Sequence, residues 1–206
     1  SEPAVGVMIV CSGASEKQLT DMLNTLDKYG VKGTFYVTGD FVRRNPERIQ
    51  RIIDAGHELG SHGNNLINMT EVSYARVQEN IRELNDLCEE TFGVRPRLFC
   101  AHLGATNSIV TAIARAEGVE DCLFAIDACD WSDAYKDKVY QMVYRVTSDR
   151  VTSGCVVQFH INGYHTAEVL DKALDNWINV KGLRPVTVGE LMQLSGRDFP
   201  PLPDYD

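Results

Sequence analysis

The chain has 206 residues, 44% of them hydrophobic, a net charge of −9 and six cysteines. That length and apolar content are enough for one domain with a full core. The acidic balance excludes nucleic acid and anionic membrane surfaces as partners, because both would be repelled, and no apolar run approaches the roughly 20 residues that span a bilayer.

Strand-like and helix-like segments alternate from end to end, the pattern of an α/β fold with a largely parallel sheet. Residues 5–11 are a continuous apolar run, as expected of a strand covered on both faces. Leu19, Met22, Leu23 and Leu26 then recur at helical spacing, with Gly30 as the cap. Residues 33–37 read as the second strand. Asn45-Pro46 opens a helix whose apolar face is Ile49, Ile52 and Ile53 and which Gly56 closes; residues 57–61 lead into the next loop. A long helix is predicted over residues 72–92, with Val77, Ile81, Leu84 and Leu87 facing inward. Strands follow near 98–101, 123–127, 155–160 and 185–188, with helices between them. Without repeat, low-complexity tract or linker, residues 1–206 read as one domain. The residues that stand out lie just past the C-terminal ends of predicted strands, where parallel α/β barrels build their sites.

Cys11, Cys88, Cys100, Cys122, Cys129 and Cys155 are scattered, with no CxxC pair, which argues against a zinc knuckle. Small buried hydrophobes and disulfides of an exported protein are both open readings. Asn68-Met69-Thr70 is a glycosylation sequon, usable only after export. The chain starts Ser-Glu-Pro without methionine and ends PPLPDYD, so both ends read as cut sites of a longer precursor that has lost a signal peptide or anchor.

The stretch VKGTFYVTGDFVRRNPERIQRIIDAGHELGSHGNNL at residues 31–66 is joined by IVCSG at 9–13, CAHLG at 100–104, DACDW at 127–131 and Phe159-His160. In that order they resemble the polysaccharide deacetylases of the NodB type, the fourth family of carbohydrate esterases. The resemblance runs from about residue 5 to 160 and onward to Gly196. It implies a single distorted (β/α) barrel of the NodB deacetylase type. It also implies hydrolysis of acetyl groups on sugars at a divalent metal, held by one aspartate and two histidines.

The departures fall on the chemistry. Where the family reads TFDDG, Cys11 and Ser12 replace the base aspartate and the metal-ligand aspartate. Of the two ligand histidines, His62 is kept and Leu66 takes the place of the second. The family's third motif is close to RPPYG, and its arginine holds the base aspartate. Here Cys100 replaces that arginine, and His102 and Leu103 replace proline and tyrosine. Joint loss is physically coherent, since removing one partner alone leaves a buried unpaired charge costing about 3–5 kcal/mol. The last motifs survive. By resemblance, Asp130 orients His160 and raises its pKa, His160 protonates the leaving amine, and Trp131 walls the acetyl pocket with Leu103 and Tyr164 nearby.

These substitutions imply a deacetylase-like protein that has lost metal-dependent activity and needs no cofactor, although family members use zinc or another divalent metal. Water without a metal keeps a pKa near 15.7 instead of about 7, and a surviving general acid contributes only about 10²–10⁴ in rate. Such a protein would bind a chitin-like or other N-acetylated glycan, or serve as a structural protein of a wall or surface. The expected setting is a secreted or surface protein of a fungal or microsporidian wall. Two enzyme readings compete: a metal-dependent deacetylase with Cys11, His62 and His102 as substitute ligands, and a cysteine hydrolase with Cys11 as nucleophile. By resemblance Cys11 and Cys100 both lie near the barrel mouth, either as a disulfide or as two buried thiols. Arginine's longer reach than cysteine's favours the thiols.

Overall fold

The structure, a computed structural model, describes residues 2–204. The apolar run at the start forms β1 (Ala4–Cys11), all eight residues of which are buried. It pairs in parallel with β2 (Thr34–Val37) and with β7 (Val156–His160). Beyond β2 follow β3 (Glu58–Ser61), β4 (Leu98–Phe99) and β5 (Glu120–Asp121); beyond β7 lies β6 (Ile126–Asp127). The last strand, β8 (Arg184–Val186), pairs in parallel with Ala4, Val5 and Gly6 of β1. The strand path runs β5-β4-β3-β2-β1-β7-β6. Among the described residues its two ends do not pair, so the sheet is a curled, incompletely closed barrel, as the resemblance implies.

That opening explains one departure from expectation. Of the strand predicted over residues 123–127 only Ile126–Asp127 is strand, as β6, while Glu120–Asp121 just before the predicted run form β5 at the opposite end of the sheet. Cys122 donates its backbone N–H to Phe99 O at 2.8 Å, and Ala125 donates to Val156 O at 2.8 Å. Within four residues the chain leaves the edge of β4 and joins the edge of β7, crossing the gap. Residues 57–61, read as the entry to a loop, instead supply β3, which the inner face of the sheet needs between β2 and β4.

Local chemistry sets most helix boundaries. Ser15 and Gln18 make a reciprocal capping box for α1 (Glu16–Lys28). The short α2 (Gly39–Arg44), too brief to show a period in sequence, is capped by Thr38. Proline at the first position opens α3 (Pro46–Asp54). Ser73 caps α4 (Tyr74–Phe92), and Gly93 closes it in the left-handed region at φ 71°. Then come α5 (Ser108–Ala116), α6 (Val139–Thr147), α7 (Thr166–Asn179) and α8 (Val188–Leu194).

Strand alternation divides the core into two layers. Val5, Val7, Ile9 and Cys11 of β1 face outward into a layer with Leu19, Met22 and Leu26 of α1 and Leu170, Leu174 and Trp177 of α7. Met8 and Val10 face inward with Tyr36, Leu98, Cys100 and two residues of α8, Val188 and Met192. Among the described residues, no helix is long and apolar enough to cross a membrane.

Candidate functional site

The C-terminal ends of the strands surround a cleft of about 320 Å³. Val10 and Ser12 enter it from the end of β1, His62 and Leu66 from beyond β3, and residues 101–104 from beyond β4. Phe124, Asp127 and Trp131 come from the opposite wall, with Gln158 and His160 from β7. The three positions that resemblance assigns to metal ligands, Ser12, His62 and Leu66, therefore line one cavity. Leu103 lines it too, at the rim, with 74% of its surface exposed.

The turn after β3 aims His62. Gly63 has φ +85°, and a Cβ there would lie 2.3 Å from Asn80 Oδ1, so only glycine fits. Asn80 Oδ1 in turn accepts the backbone N–H of Asn64 at 2.7 Å. His62 Nδ1 donates to the carbonyl of Cys100 at 2.8 Å and lies 3.1 Å from its Sγ. Burial depresses the His62 pKa to about 4, so at neutral pH Nε2 carries the free lone pair.

That depression has a pH signature. An imidazole with a folded pKa of about 4 and an ordinary value of 6.5 takes up its proton more readily when the chain is unfolded. Acid therefore favours unfolding between those two values, and the full contribution, about 3 kcal/mol, is present above pH 6.5 and lost toward pH 4. Urea unfolding is expected to show wild-type stability falling from pH 7 to 4.5 more steeply than His62→Gln. Parallel pH profiles of the two proteins would refute a buried neutral imidazole at this position.

On the other wall, the Asp130 carboxylate is fully buried and saturated with donors. Its Oδ2 accepts the backbone N–H of His160 at 2.8 Å and Thr166 Oγ at 2.8 Å, and its Oδ1 accepts His160 Nδ1–H at 3.2 Å. This leaves His160 Nε2 as the exchangeable nitrogen, in the tautomer suited to giving or taking one proton. Asp127 holds the neighbouring ring: its Oδ2 accepts Trp131 Nε1–H at 2.8 Å, and its Oδ1 accepts the backbone N–H of Cys129 at 2.8 Å. Cys129 sits in the left-handed region at φ 59°, which folds the turn back so that the indole stands at the cleft, 56% exposed. Sequence reasoning missed the latch by Asp127 and the cleft position of Gln158. Gln158 was detectable: a polar residue two before His160 on a strand shares its face.

Other expected site residues lie elsewhere. Cys11 ends in the outward, helix-facing layer, and Cys100 faces inward. With β2 and β3 between their strands and opposite faces of the sheet presented, they cannot form a disulfide; all six cysteines are free thiols. Burial pushes both the Cys11 and the Cys100 thiol far above the ordinary range. A nucleophilic Cys11 has neither a thiolate nor access to the cleft. Tyr164 does not line the cleft: its hydroxyl donates to Asp133, and its backbone N–H donates to Asp130 O at 2.7 Å.

The residues present do not fit a divalent metal. Ser12 offers a neutral hydroxyl and Leu66 no donor, so His62 stands alone where a zinc hydrolase needs three protein ligands. The substitute set of Cys11, His62 and His102 fails because Cys11 points away from the cleft. Among the described residues, Asp127, Asp130 and His160 are the one group whose potential ligand atoms converge, within 4.8 Å. A cation there would have to displace His160 Nδ1–H from Asp130, the bond that orients the ring.

A curled parallel barrel with an Asp–His pair and a tryptophan at its C-terminal mouth defines a class, the NodB-type carbohydrate esterase fold. The family model for polysaccharide deacetylase matches residues 12–121, more than half of the chain, and the chain belongs to that family. It is 32% identical over 191 residues to the uncharacterized protein YlxY of Bacillus subtilis (strain 168), covering 93% of this chain and 58% of that protein. It is 28% identical over 179 residues to the peptidoglycan-N-acetylglucosamine deacetylase PgdA of Listeria monocytogenes, covering 87% of this chain and 37% of that one. The chain thus spans less than two thirds of the length of these relatives. Among solved structures it is similar to BA3943 of Bacillus anthracis, described as a CE4 family pseudoenzyme, with a TM-score of 0.84 at 23% identity, covering 93% of this chain and 66% of that one. The peptidoglycan deacetylase PdaC of Bacillus subtilis gives a TM-score of 0.81 at 22% identity, covering 95% and 93%.

Proposed function

We propose that this domain binds an N-acetylated glycan in the cleft and does not hydrolyse it by the metal-dependent route of its family. One observation carries the reading. Ser12, His62 and Leu66 share the cleft wall where three ligands would be needed, whereas Asp130–His160 and the open face of Trp131 are intact. A chain that kept only a general acid would lack both the activated water and its base. Binding needs neither, because a sugar face stacks on an exposed indole without a metal. The description of the Bacillus anthracis protein as a pseudoenzyme, and of a mutant of it as having restored enzymatic activity, supports persistence of this fold without its chemistry.

The relatives described above are bacterial, and those with a named activity act on peptidoglycan. They lend no support to the fungal or microsporidian setting expected from sequence, and they favour a peptidoglycan-type glycan over chitin. Exposure of the domain at the cell surface belongs to this reading.

Two measurements test it. No acetate release is expected from acetylated glucosamine oligomers or peptidoglycan fragments, and release above a heat-inactivated control would overturn the inactive assignment. Titration with the same fragments is expected to show binding that Trp131→Ala weakens roughly 3–10-fold, the size of one aromatic stacking contact. Equal affinity of the variant and the wild type would remove Trp131 from the binding surface.

A further inference from the structure

Outside the Asp–His–Trp wall, the inner face of the barrel carries two thiols in register. Leu98 pairs with Glu120 and Phe99 with Asp121 in the parallel β4–β5 ladder. The next step of that ladder sets Cys100 beside Cys122, and the Cys122 N–H bond to Phe99 O at 2.8 Å keeps the step in phase. Cys100 belongs to the inward cluster of Met8, Val10 and Tyr36, and Cys122 packs against the same cluster. Neighbouring strands lie about 4.8 Å apart, inside the roughly 4.4–6.8 Å between Cα atoms that a disulfide spans. The two thiols also interact electrostatically with each other and with the buried Tyr36 hydroxyl.

We propose that Cys100 and Cys122 are an oxidisable pair that closes to a disulfide at the open side of the barrel. Access is unequal, which sets the order of events. Cys100 is buried, whereas Cys122 is partly exposed and lines a surface groove with Leu123, Phe124 and Arg197. A small-molecule disulfide such as oxidised glutathione therefore meets Cys122 first. The Cys122 thiol loses its proton and attacks one glutathione sulfur, releasing one glutathione. Cys100 then loses its proton and attacks the Cys122 sulfur of the mixed disulfide, releasing the second. Two thiols and one oxidised glutathione become one protein disulfide and two reduced glutathiones. Burial pushes the Cys122 thiol up to about 12, so the first step is slow at neutral pH and quickens as pH rises.

The bond has two structural consequences. It ties the end of β4, which leads into the cleft wall at residues 101–104, to the edge strand beside the gap that residues 122–125 cross. It also removes the S–H group 3.1 Å from His62 Nδ1, leaving the Cys100 carbonyl as that nitrogen's acceptor.

The test is to incubate the native full chain with oxidised glutathione at mildly alkaline pH, alkylate the remaining thiols in denaturant, and map the digest without reductant. The expected result is a peptide linking Cys100 to Cys122, reversed by dithiothreitol, with the other four cysteines alkylated. Cys122→Ser should leave Cys100 fully alkylated; if that variant does not fold, the wild-type map decides alone. Any of three results overturns the pairing: both residues alkylated, Cys122 retained as a glutathione adduct beside an alkylated Cys100, or either residue linked to another cysteine.

Discussion

Ser12→Asp combined with Leu66→His is expected to convert a chain that keeps no stoichiometric zinc through dialysis into one that does. Ser12, His62 and Leu66 line the same cleft, and the remaining histidine is already prepared. Its Nδ1 is committed to the Cys100 carbonyl at 2.8 Å, the outer contact that typically orients a metal-ligating imidazole, and with its pKa at about 4 it offers a neutral nitrogen without competition from protons. Losing one outer contact costs 10–100-fold in metal affinity. Losing a ligand costs at least as much, so two restored ligands should raise affinity by at least about 10²–10⁴. Elemental analysis after dialysis reads the outcome, with each single variant as a two-ligand control that should stay nearly metal-free. A folded double variant without zinc would show that the three positions cannot converge on one ion. Stoichiometric zinc in the unmodified chain would overturn the donor-set argument itself.

Cys11→Asp, the other half of a restored family motif, is expected to destabilise the domain by about 3–5 kcal/mol. Cys11 is fully buried in the outward layer among Leu19, Phe35 and Phe41. The position that resemblance pairs with it holds Cys100, an uncharged thiol facing the barrel interior, so the family's arginine is not there to meet a carboxylate at 11. For a domain of this size the loss corresponds to a fall in melting temperature of roughly 6–20 °C. Ser12→Asp sits one residue further along at the cleft and should cost about 1 kcal/mol or less. Comparing the two variants by urea unfolding separates a general intolerance of charge at the strand end from a difference between faces. If Cys11→Asp unfolds within 1 kcal/mol of wild type, its carboxylate reaches solvent and the site is more easily rebuilt than the packing indicates.

Much of the cleft was legible in the sequence, because its residues sit at strand ends that short apolar runs mark. Ser12 follows the run at 5–11 and His160 ends the strand read near 155–160, whereas the residues before His62 read as the entry to a loop and only the structure makes them β3. By resemblance, their order along the chain implied the barrel and pointed to the ligand positions that had changed. Alternation along β1 puts Cys11 on one face with Val5, Val7 and Ile9. A period of two does not say which face is the interior. That depended on where α1, α7 and α8 packed, and it moved Cys11 out of the site. The shortening of the predicted 123–127 strand to β6, the pairing of residues 120–121 as β5, the hold of Asp127 on Trp131 and the register of Cys100 with Cys122 belong to the tertiary structure as well. Each joins backbone segments by hydrogen bonds across the curled sheet or through a turn. Such bonds are set when whole strands align to bury the core, and the residue types at either end leave that alignment open.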